Sequence, residues 1–212
     1  GYLPAVYEHI RAAGGVCIAD EVQTGLGRLG AYYFGFEEQG ALPDIVVLGK
    51  PIGNGHPIGA VVTTRAISEA FAQGPEYFST FGGSTLSCRI GAEVLDIVDA
   101  EGLMENANLM GARLLSGLRD LQAVHPVIGD VRGYGLFIGV DLVSDIVTRT
   151  PAIDAADYVK NRMREHRILL GCEGPFDNIL KIRPPLTIDE EGVDMILAVL
   201  AEVLTEVDAL SA

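Results

Sequence analysis

The sequence predicts an α/β protein: part of a large domain with a mainly parallel sheet, followed by a smaller α+β domain. In the first half, short apolar runs alternate with amphipathic segments, which is typical of parallel strands joined by helices. After His125-Pro126, a glycine-interrupted strand pair indicates antiparallel pairing instead. We therefore predict a first domain over residues 1–124, closing with a long helix, and a second over residues 125–212.

The elements of the first domain follow from apolar periodicity and from the positions of glycine and proline. The first helix has Pro4 near its start and Gly14-Gly15 at its end, as helix termini often do. Four consecutive apolar residues at 45–48, three of them β-branched, indicate a buried strand. We predict helices over 4–13, 66–72, 84–99 and 103–121, and strands over 16–19, 45–48 and 58–64.

The second domain is predicted to pair strands and to end in a helix. Asp189-Glu190-Glu191 begins the terminal helix, which runs to Leu210, because acidic residues are favoured at the amino end of a helix. The other predicted elements are a strand pair within 127–143, a helix over 153–166, and strands over 168–170 and 178–188.

Composition limits the partners and the compartment. The net charge of -14 and the pI of about 4.5 oppose binding to nucleic acid or to an anionic membrane. An anionic cofactor is still compatible, because backbone amides can bind it locally. The three cysteines are widely spaced and odd in number, so we expect reduced thiols, no metal site and a cytoplasmic location.

The chain begins at Gly1-Tyr2 without an initiator methionine. No signal peptide opens the sequence, and no apolar run reaches the length of a membrane span. We therefore expect a fragment or a processed piece of a longer protein.

Two strand ends carry groups that can react. Lys50 follows the strand at 45–48, and Asp20-Glu21 follow the strand at 16–19. In an open α/β sheet, ligands bind beyond the carboxyl ends of the strands. We expect Lys50 to be half-buried there, where its amine can attack a carbonyl group. The alternative is a solvated lysine at a strand end.

Other kinds of site fit the sequence poorly. Gly53-x-Gly55 and Gly133-x-Gly135 lack the full dinucleotide-binding pattern, and no serine-hydrolase elbow is present. An acid, a lysine and the Ser-Thr-Phe-Gly-Gly loop at 79–83 remain. Pyridoxal phosphate (PLP) needs this set: an amine for its aldehyde, a carboxylate for its ring nitrogen, and hydroxyls or amides for its phosphate.

Several blocks of the chain resemble the class III aminotransferase family in order and spacing. The resemblance runs from about Gly1 to Leu210 and implies a PLP-dependent transferase fold with PLP as cofactor. The blocks that carry it are residues 19–25, 43–50, 53–59 and 79–83.

The resemblance also implies roles for single residues. Lys50 matches the lysine that forms the Schiff base with the cofactor and moves the substrate proton, and Asp20 matches the carboxylate on the ring nitrogen. Val22 matches the residue packed on the ring, and Gln23 the side chain that contacts the ring hydroxyl. Thr80 matches the threonine that reaches the phosphate of the partner subunit's cofactor, which implies a homodimer with shared sites. Each position also has a purely structural interpretation, as a strand-end cap, a loop residue or a turn residue.

Two departures qualify the resemblance. The family is about twice as long as this chain, which resembles only its carboxyl-terminal half, so cofactor binding by the chain alone stays open. Many members place an arginine shortly before a final Pro-Pro to hold the substrate carboxylate, and here Lys181 stands in that place. Lysine lacks the bidentate fork of arginine. Lys181 and Arg183 share a face by strand alternation, so both are candidates for substrate binding, although Arg183 could equally be a solvated strand residue.

The expected function is a transaminase that moves an amino group from an amine or amino acid to a keto acid through Lys50. The sequence resembles most closely a branch that contains alanine–glyoxylate-like aminotransferases and phospho-lyases. A PLP-dependent phospho-lyase acting on phosphoethanolamine-like amines is therefore the first alternative. A truncated, non-catalytic homologue is the second.

Overall fold

The computed structural model describes residues 1–211 and divides the chain into two compact units. The first unit is Gly1–Met104, and the second begins at Glu105. This division comes earlier than the boundary at 124/125 that the sequence indicated. The reason is that helix α4 (Leu103–Val124) buries its apolar face in the core of the second unit, through Ala107, Met110, Leu114 and Leu118.

The first unit contains three α-helices and a three-stranded sheet with the order β1-β2-β3. β1 and β2 are parallel, with Asp20 opposite Val47, whereas β2 and β3 are antiparallel, with Leu48 opposite Ala60. The elements are α1 (Tyr2–Ala12), β1 (Ile18–Asp20), β2 (Ile45–Leu48), β3 (Ala60–Thr63), α2 (Arg65–Ala72) and α3 (Thr85–Ala100).

The mainly parallel sheet expected from the sequence is represented here by β1 and β2, and β3 makes the sheet mixed. The connection over residues 49–59 holds only a 3₁₀ turn, Lys50–Gly53. A parallel crossover needs about a dozen or more residues, usually with a helix, so this shorter connection returns the chain antiparallel. The expectation of a buried β2 is also wrong, because only Leu48 of its four residues is buried.

The second unit is a five-stranded antiparallel sheet with the order β4-β5-β8-β7, in which β6 pairs with β5. One face of the sheet packs against α4, α5 and α6, and their shared core contains Leu114, Val140, Val159, Leu180 and Leu200. The remaining elements are β4 (Ile128–Tyr134), β5 (Phe137–Asp145), β6 (Thr150–Pro151), α5 (Ile153–Glu165), β7 (Gly171–Glu173), β8 (Ile179–Ile182) and α6 (Glu190–Ser211).

The strand expected at 168–170 is wrong, since β7 begins at Gly171. The Ile168 N–H donates to the Met163 carbonyl at 2.9 Å, and Arg167 has a φ of 66°, so these residues close the end of α5. Apolar composition placed the strand too early, because Ile168 is buried as part of the helix end.

Candidate active site

Parallel pairing brings Asp20 and Lys50 to the same edge of the first sheet. Asp20 is the last residue of β1, and Lys50 follows the end of β2 by two residues. Both side chains are exposed, so the half-buried setting expected for Lys50 is wrong for the described chain. The physical reason is that both strand ends lead into turns of the first unit, which do not enclose the lysine.

The backbone at Lys50 has an unusual conformation. Its φ is 23°, a region that residues with a β-carbon rarely adopt and that is concentrated at functional sites. The Ile52 N–H donates to the Gly49 carbonyl at 3.1 Å, and Ile52 is buried in a cluster with Leu26 and Leu48. A packed turn therefore fixes the direction in which Lys50 leaves the sheet.

Helix α3 supports this turn from one side. His56 Nε2 lies 2.9 Å from Ser87 Oγ, which joins the loop to the first turn of the helix. A β-carbon at Gly91 would lie 3.3 Å from Ile58 Cδ1 and 3.8 Å from the Ile52 carbonyl oxygen, so the helix packs closely against the loop there. The roles of these residues are not evident from the sequence, because their contacts are between distant parts of the chain.

Val22 lies between the two strand ends. Its backbone N–H donates to Asp20 Oδ1 at 3.1 Å, which holds the carboxylate near the turn after β1. A β-carbon at Gly49 would lie 3.3 Å from Val22 Cγ2, so the Val22 side chain packs against the residue before Lys50. Gln23 is half-buried in the same turn.

Glu21, grouped with Asp20 among the reactive residues of this strand end, has a structural role that sequence reasoning missed. Its side chain is only 4% exposed. The carboxylate accepts hydrogen bonds from Thr24 Oγ1 at 2.6 Å and from the backbone N–H groups of Gly35 and Phe36 at 2.8 and 3.0 Å. Asp20 and Glu21 are thus not an acidic pair. Strand alternation indicates that Glu21 is buried, because the residue next to an outward-facing Asp20 points inward.

Thr80 lies in the segment between α2 and α3, and its side chain is exposed. In the same segment, Ser79 Oγ accepts the Gly82 N–H at 3.1 Å, which closes a small turn around Thr80. Tyr77, Phe78 and Phe81 are exposed as well. The structure places Thr80 on the surface of the first unit.

The two proposed substrate-binding cations belong to the second unit. Leu180 and Ile182 of β8 point into the core, so Lys181 between them points to the opposite face, whereas Arg183 lies just beyond the strand and is exposed. Lys181 Nζ forms an ion pair with Glu173 on β7. Its ammonium group therefore already has an anionic partner.

Within residues 1–211, no group of three or more His, Cys, Asp or Glu side chains is arranged to hold a metal ion. No helix in that range is long and apolar enough to cross a membrane.

Comparisons with known proteins agree with this arrangement. The family model for aminotransferase class-III matches residues 1–204. An alanine–glyoxylate aminotransferase 2-like protein of Drosophila melanogaster is 49% identical over 209 residues, which is 98% of this chain and 42% of the relative.

Solved structures give the same result. A phospholyase from Arthrobacter, in complex with phosphoethanolamine, superposes with a TM-score of 0.93 at 40% identity, covering 97% of this chain and 49% of that one. An amine transaminase from an uncultivated Pseudomonas species, in its PLP-bound form, gives a TM-score of 0.86 at 34% identity, covering 97% and 48%. The chain thus spans less than half the length of these relatives. On this evidence it belongs to the class III aminotransferase family.

Proposed function

We propose that this chain supplies Lys50 and Asp20 to the active site of a PLP-dependent aminotransferase that moves an amino group from an amine or amino acid to a keto acid. The observation that carries the proposal is the placement of both groups at the carboxyl ends of two adjacent parallel strands, with Lys50 held at a φ of 23°. Family membership supports the same reaction.

The residues present fit the cofactor. When bound, PLP supplies an aldehyde that accepts an amine and a ring that withdraws electrons from the carbon attached to that amine. Lys50 would hold the aldehyde carbon through its amine. Asp20 is an acceptor-only carboxylate when ionised, so it would keep a proton on the ring nitrogen. Val22 would pack on the ring, and Gln23 would contact the ring hydroxyl.

Lys50 would have a second task as the acid–base group of the site. Its Nζ would take up the proton from the substrate carbon that carries the nitrogen, hold it, and later give up a proton to complete the transfer. Such positioned proton transfer contributes about 10²–10⁴-fold to a rate. The packed turn at Gly49–Gly53 would set the direction from which Nζ reaches the substrate.

Three further properties belong to the proposal. The enzyme would be a homodimer in which Thr80 reaches the phosphate of the cofactor in the partner subunit, and the exposure of Thr80 is compatible with that role. Lys181 and Arg183 would hold the anionic group of the substrate. A cytoplasmic location stays a prediction from the cysteine pattern.

A phospho-lyase is the second candidate, and a specific observation favours it. The Arthrobacter phospholyase superposes at a TM-score of 0.93, and Lys181 suits a phosphate because lysine binds phosphate as a point charge. In this reaction Lys50 would again remove the proton from the carbon bearing nitrogen. Phosphate would then leave the neighbouring carbon with the C–O electron pair, and hydrolysis would release ammonia.

One assay separates the two candidates. The full-length protein with PLP is incubated with alanine and glyoxylate, and separately with phosphoethanolamine. Formation of glycine and pyruvate supports the transaminase, whereas release of ammonia and inorganic phosphate supports the phospho-lyase. Lys50→Ala should abolish whichever activity is found, and Lys160→Ala, a surface lysine on α5, should retain it. Absence of both activities would contradict the proposal.

A further inference from the structure

The outward face of the second sheet carries a row of residues that leaves one lysine between two glycines. Arg132 on β4 lies opposite Gly139 on β5. Gly139 lies opposite Lys181 on β8, and Lys181 lies opposite Gly171 on β7. A β-carbon at Gly171 would meet nothing within 4 Å, so there is open space beside Lys181. An anion can therefore approach the ammonium group over Gly171.

The cations of this face already have anionic partners. Arg132 Nη1 lies 2.6 Å from an oxygen of Asp130 and 3.7 Å from one of Asp141. Lys181 forms an ion pair with Glu173. Glu173 lies on the same face of the sheet, two positions along β7 from Gly171, the residue opposite Lys181. The side chain of Glu173 is 51% exposed and that of Lys181 is 18% exposed. The carboxylate is thus the more exposed member of the pair, so it can turn into water while the lysine stays.

We propose that Glu173 is a specificity-determining residue: it competes with the anionic group of the substrate for Lys181 and is displaced when a dianion such as a phosphate binds. This inference rests on the proposed role of Lys181 in substrate binding and adds a residue to it. Glu173 acts through Lys181 and is therefore a positioning residue.

The charges of the competing groups explain the selectivity. A monocarboxylate that replaces Glu173 exchanges one carboxylate for another and gains little Coulomb energy. A phosphate dianion carries twice the charge, so its attraction to Lys181 is about twice as large at the same distance. The exchange then favours the phosphate. With Glu173 neutral, a monocarboxylate no longer competes with this carboxylate, and it too should bind.

The three lysines of the chain make a direct test practical. Lys50, Lys160 and Lys181 give three ¹³Cε signals in a lysine-labelled sample of the 212-residue chain, and single Lys→Arg variants assign them. Inorganic phosphate and acetate are titrated separately at constant ionic strength. We expect phosphate to shift the Lys181 signal of the unsubstituted chain and acetate to leave it unchanged.

Glu173→Gln removes the charge and keeps the shape of the side chain. In this variant we expect the Kd for phosphate at Lys181 to fall about tenfold and acetate to shift the same signal. Glu173→Ser, which has a smaller side chain and also lacks the charge, should give the same result. Unchanged Lys50 and Lys160 signals in the absence of added anions report that the fold is intact.

The matched control is Asp157→Asn, which removes the partner of the surface lysine Lys160, 2.5 Å away on α5. It should leave anion binding at Lys181 unchanged. The proposal is overturned if Glu173→Gln does not alter the phosphate Kd, or if acetate and phosphate shift Lys181 of the unsubstituted chain equally.

Kinetics of the full-length enzyme complete the test. Glu173→Gln should lower KM for an anionic substrate about tenfold with kcat changed less than twofold, because Glu173 does not touch the reacting atoms. An inactive full-length enzyme combined with the expected Lys181 titration would contradict the proposed function and leave the role of Glu173 supported. An active enzyme whose Lys181 titration is the same in Glu173→Gln as in the unsubstituted chain would support the proposed function and contradict the role of Glu173.

Discussion

The side chain of Val22 packs against Gly49: a β-carbon at Gly49 would lie 3.3 Å from Val22 Cγ2. This contact joins the turn after β1 to the residue that precedes Lys50. It therefore links the position of the carboxylate of Asp20, whose Oδ1 accepts the Val22 N–H, to the position of the amine.

Gly49→Ala should disturb the active site more than the fold. The added methyl group would push Val22 and the turn at Lys50 apart by a few tenths of an ångström. Misplacement of a reacting group on the ångström scale can cost about 10²-fold, so we expect kcat of the full-length enzyme to fall at least about tenfold. The control is Gly59→Ala in the same connection, where the nearest atom is at an ordinary 3.5 Å. Equal kcat values for the two variants would contradict the role of this contact.

Glu21→Gln should destabilise the first unit. The buried carboxylate accepts three hydrogen bonds, and hydrogen bonds to charged groups contribute about 1.5–3 kcal/mol each. Glutamine would turn an N–H group toward one of these donors, and we expect a loss of about 2–3 kcal/mol.

Hydrogen exchange measures the Glu21 effect where it arises, at the amides of Gly35 and Phe36, which should exchange faster in Glu21→Gln. Asp20→Asn is the control, because the neighbouring carboxylate is exposed and accepts one backbone hydrogen bond. Unchanged protection at Gly35 and Phe36 in Glu21→Gln would refute the assignment of Glu21 as the anchor of this loop.

Gly111→Ala should destabilise the second unit. A β-carbon at Gly111 on α4 would lie 2.2 Å from the carbonyl oxygen of Gly135, a backbone atom that cannot move aside alone. Such overpacking costs about 1–3 kcal/mol. Gly117→Ala on the same helix is the matched control, because its β-carbon would meet the flexible end of Leu197 at 2.4 Å. Urea denaturation should show the larger loss for Gly111→Ala, and the opposite order would contradict this packing.

The ion pair between α5 and α6 should make the second unit sensitive to acid. Hydrogen bonds from Arg162 and then Tyr158 lower the pKa of Glu206 from 4.5 to about 2. As the pH falls below 4.5, the unfolded chain takes up a proton at this position and the folded chain does not until about pH 2. The contribution of Glu206 to stability is therefore complete above pH 4.5 and lost as the pH falls toward 2.

Two variants isolate the acid sensitivity of Glu206. Glu206→Gln should lower the urea midpoint at pH 7 and flatten its decrease between about pH 5 and pH 2.5, where the unfolded chain takes up the Glu206 proton and the folded chain largely does not. Glu202→Gln removes the same charge from an exposed position of α6 and should keep the wild-type pH profile. Identical profiles for the two variants would show that the Arg162–Glu206 pair does not shape the acid response.

Local patterns were sufficient for much of the fold and for placing Asp20 and Lys50 at the ends of strands. Apolar runs ending at Asp20 and shortly before Lys50 placed both groups at strand ends, and the parallel pairing of β1 and β2 confirmed that they share an edge. Proline, glycine and acidic residues located the helix ends within a few positions, as for α1 and α6.

The features that the sequence did not reveal depend on contacts between distant residues. Glu21 is identified by the backbone amides at 35 and 36, and the Lys181–Glu173 pair by the register of β7 and β8. The direction of β3 follows from the length of its connection. The exposure of Lys50 reflects what surrounds a strand end in space, which residue order alone does not specify.

The most direct measurement concerns Lys50 as the residue that joins the cofactor. The full-length protein is incubated with PLP, reduced with borohydride and digested, and the peptides are mapped by mass spectrometry. We predict a pyridoxyl modification on Lys50, with Lys160 and Lys181 unmodified. An unmodified Lys50, in a protein shown to be folded, would contradict the central claim.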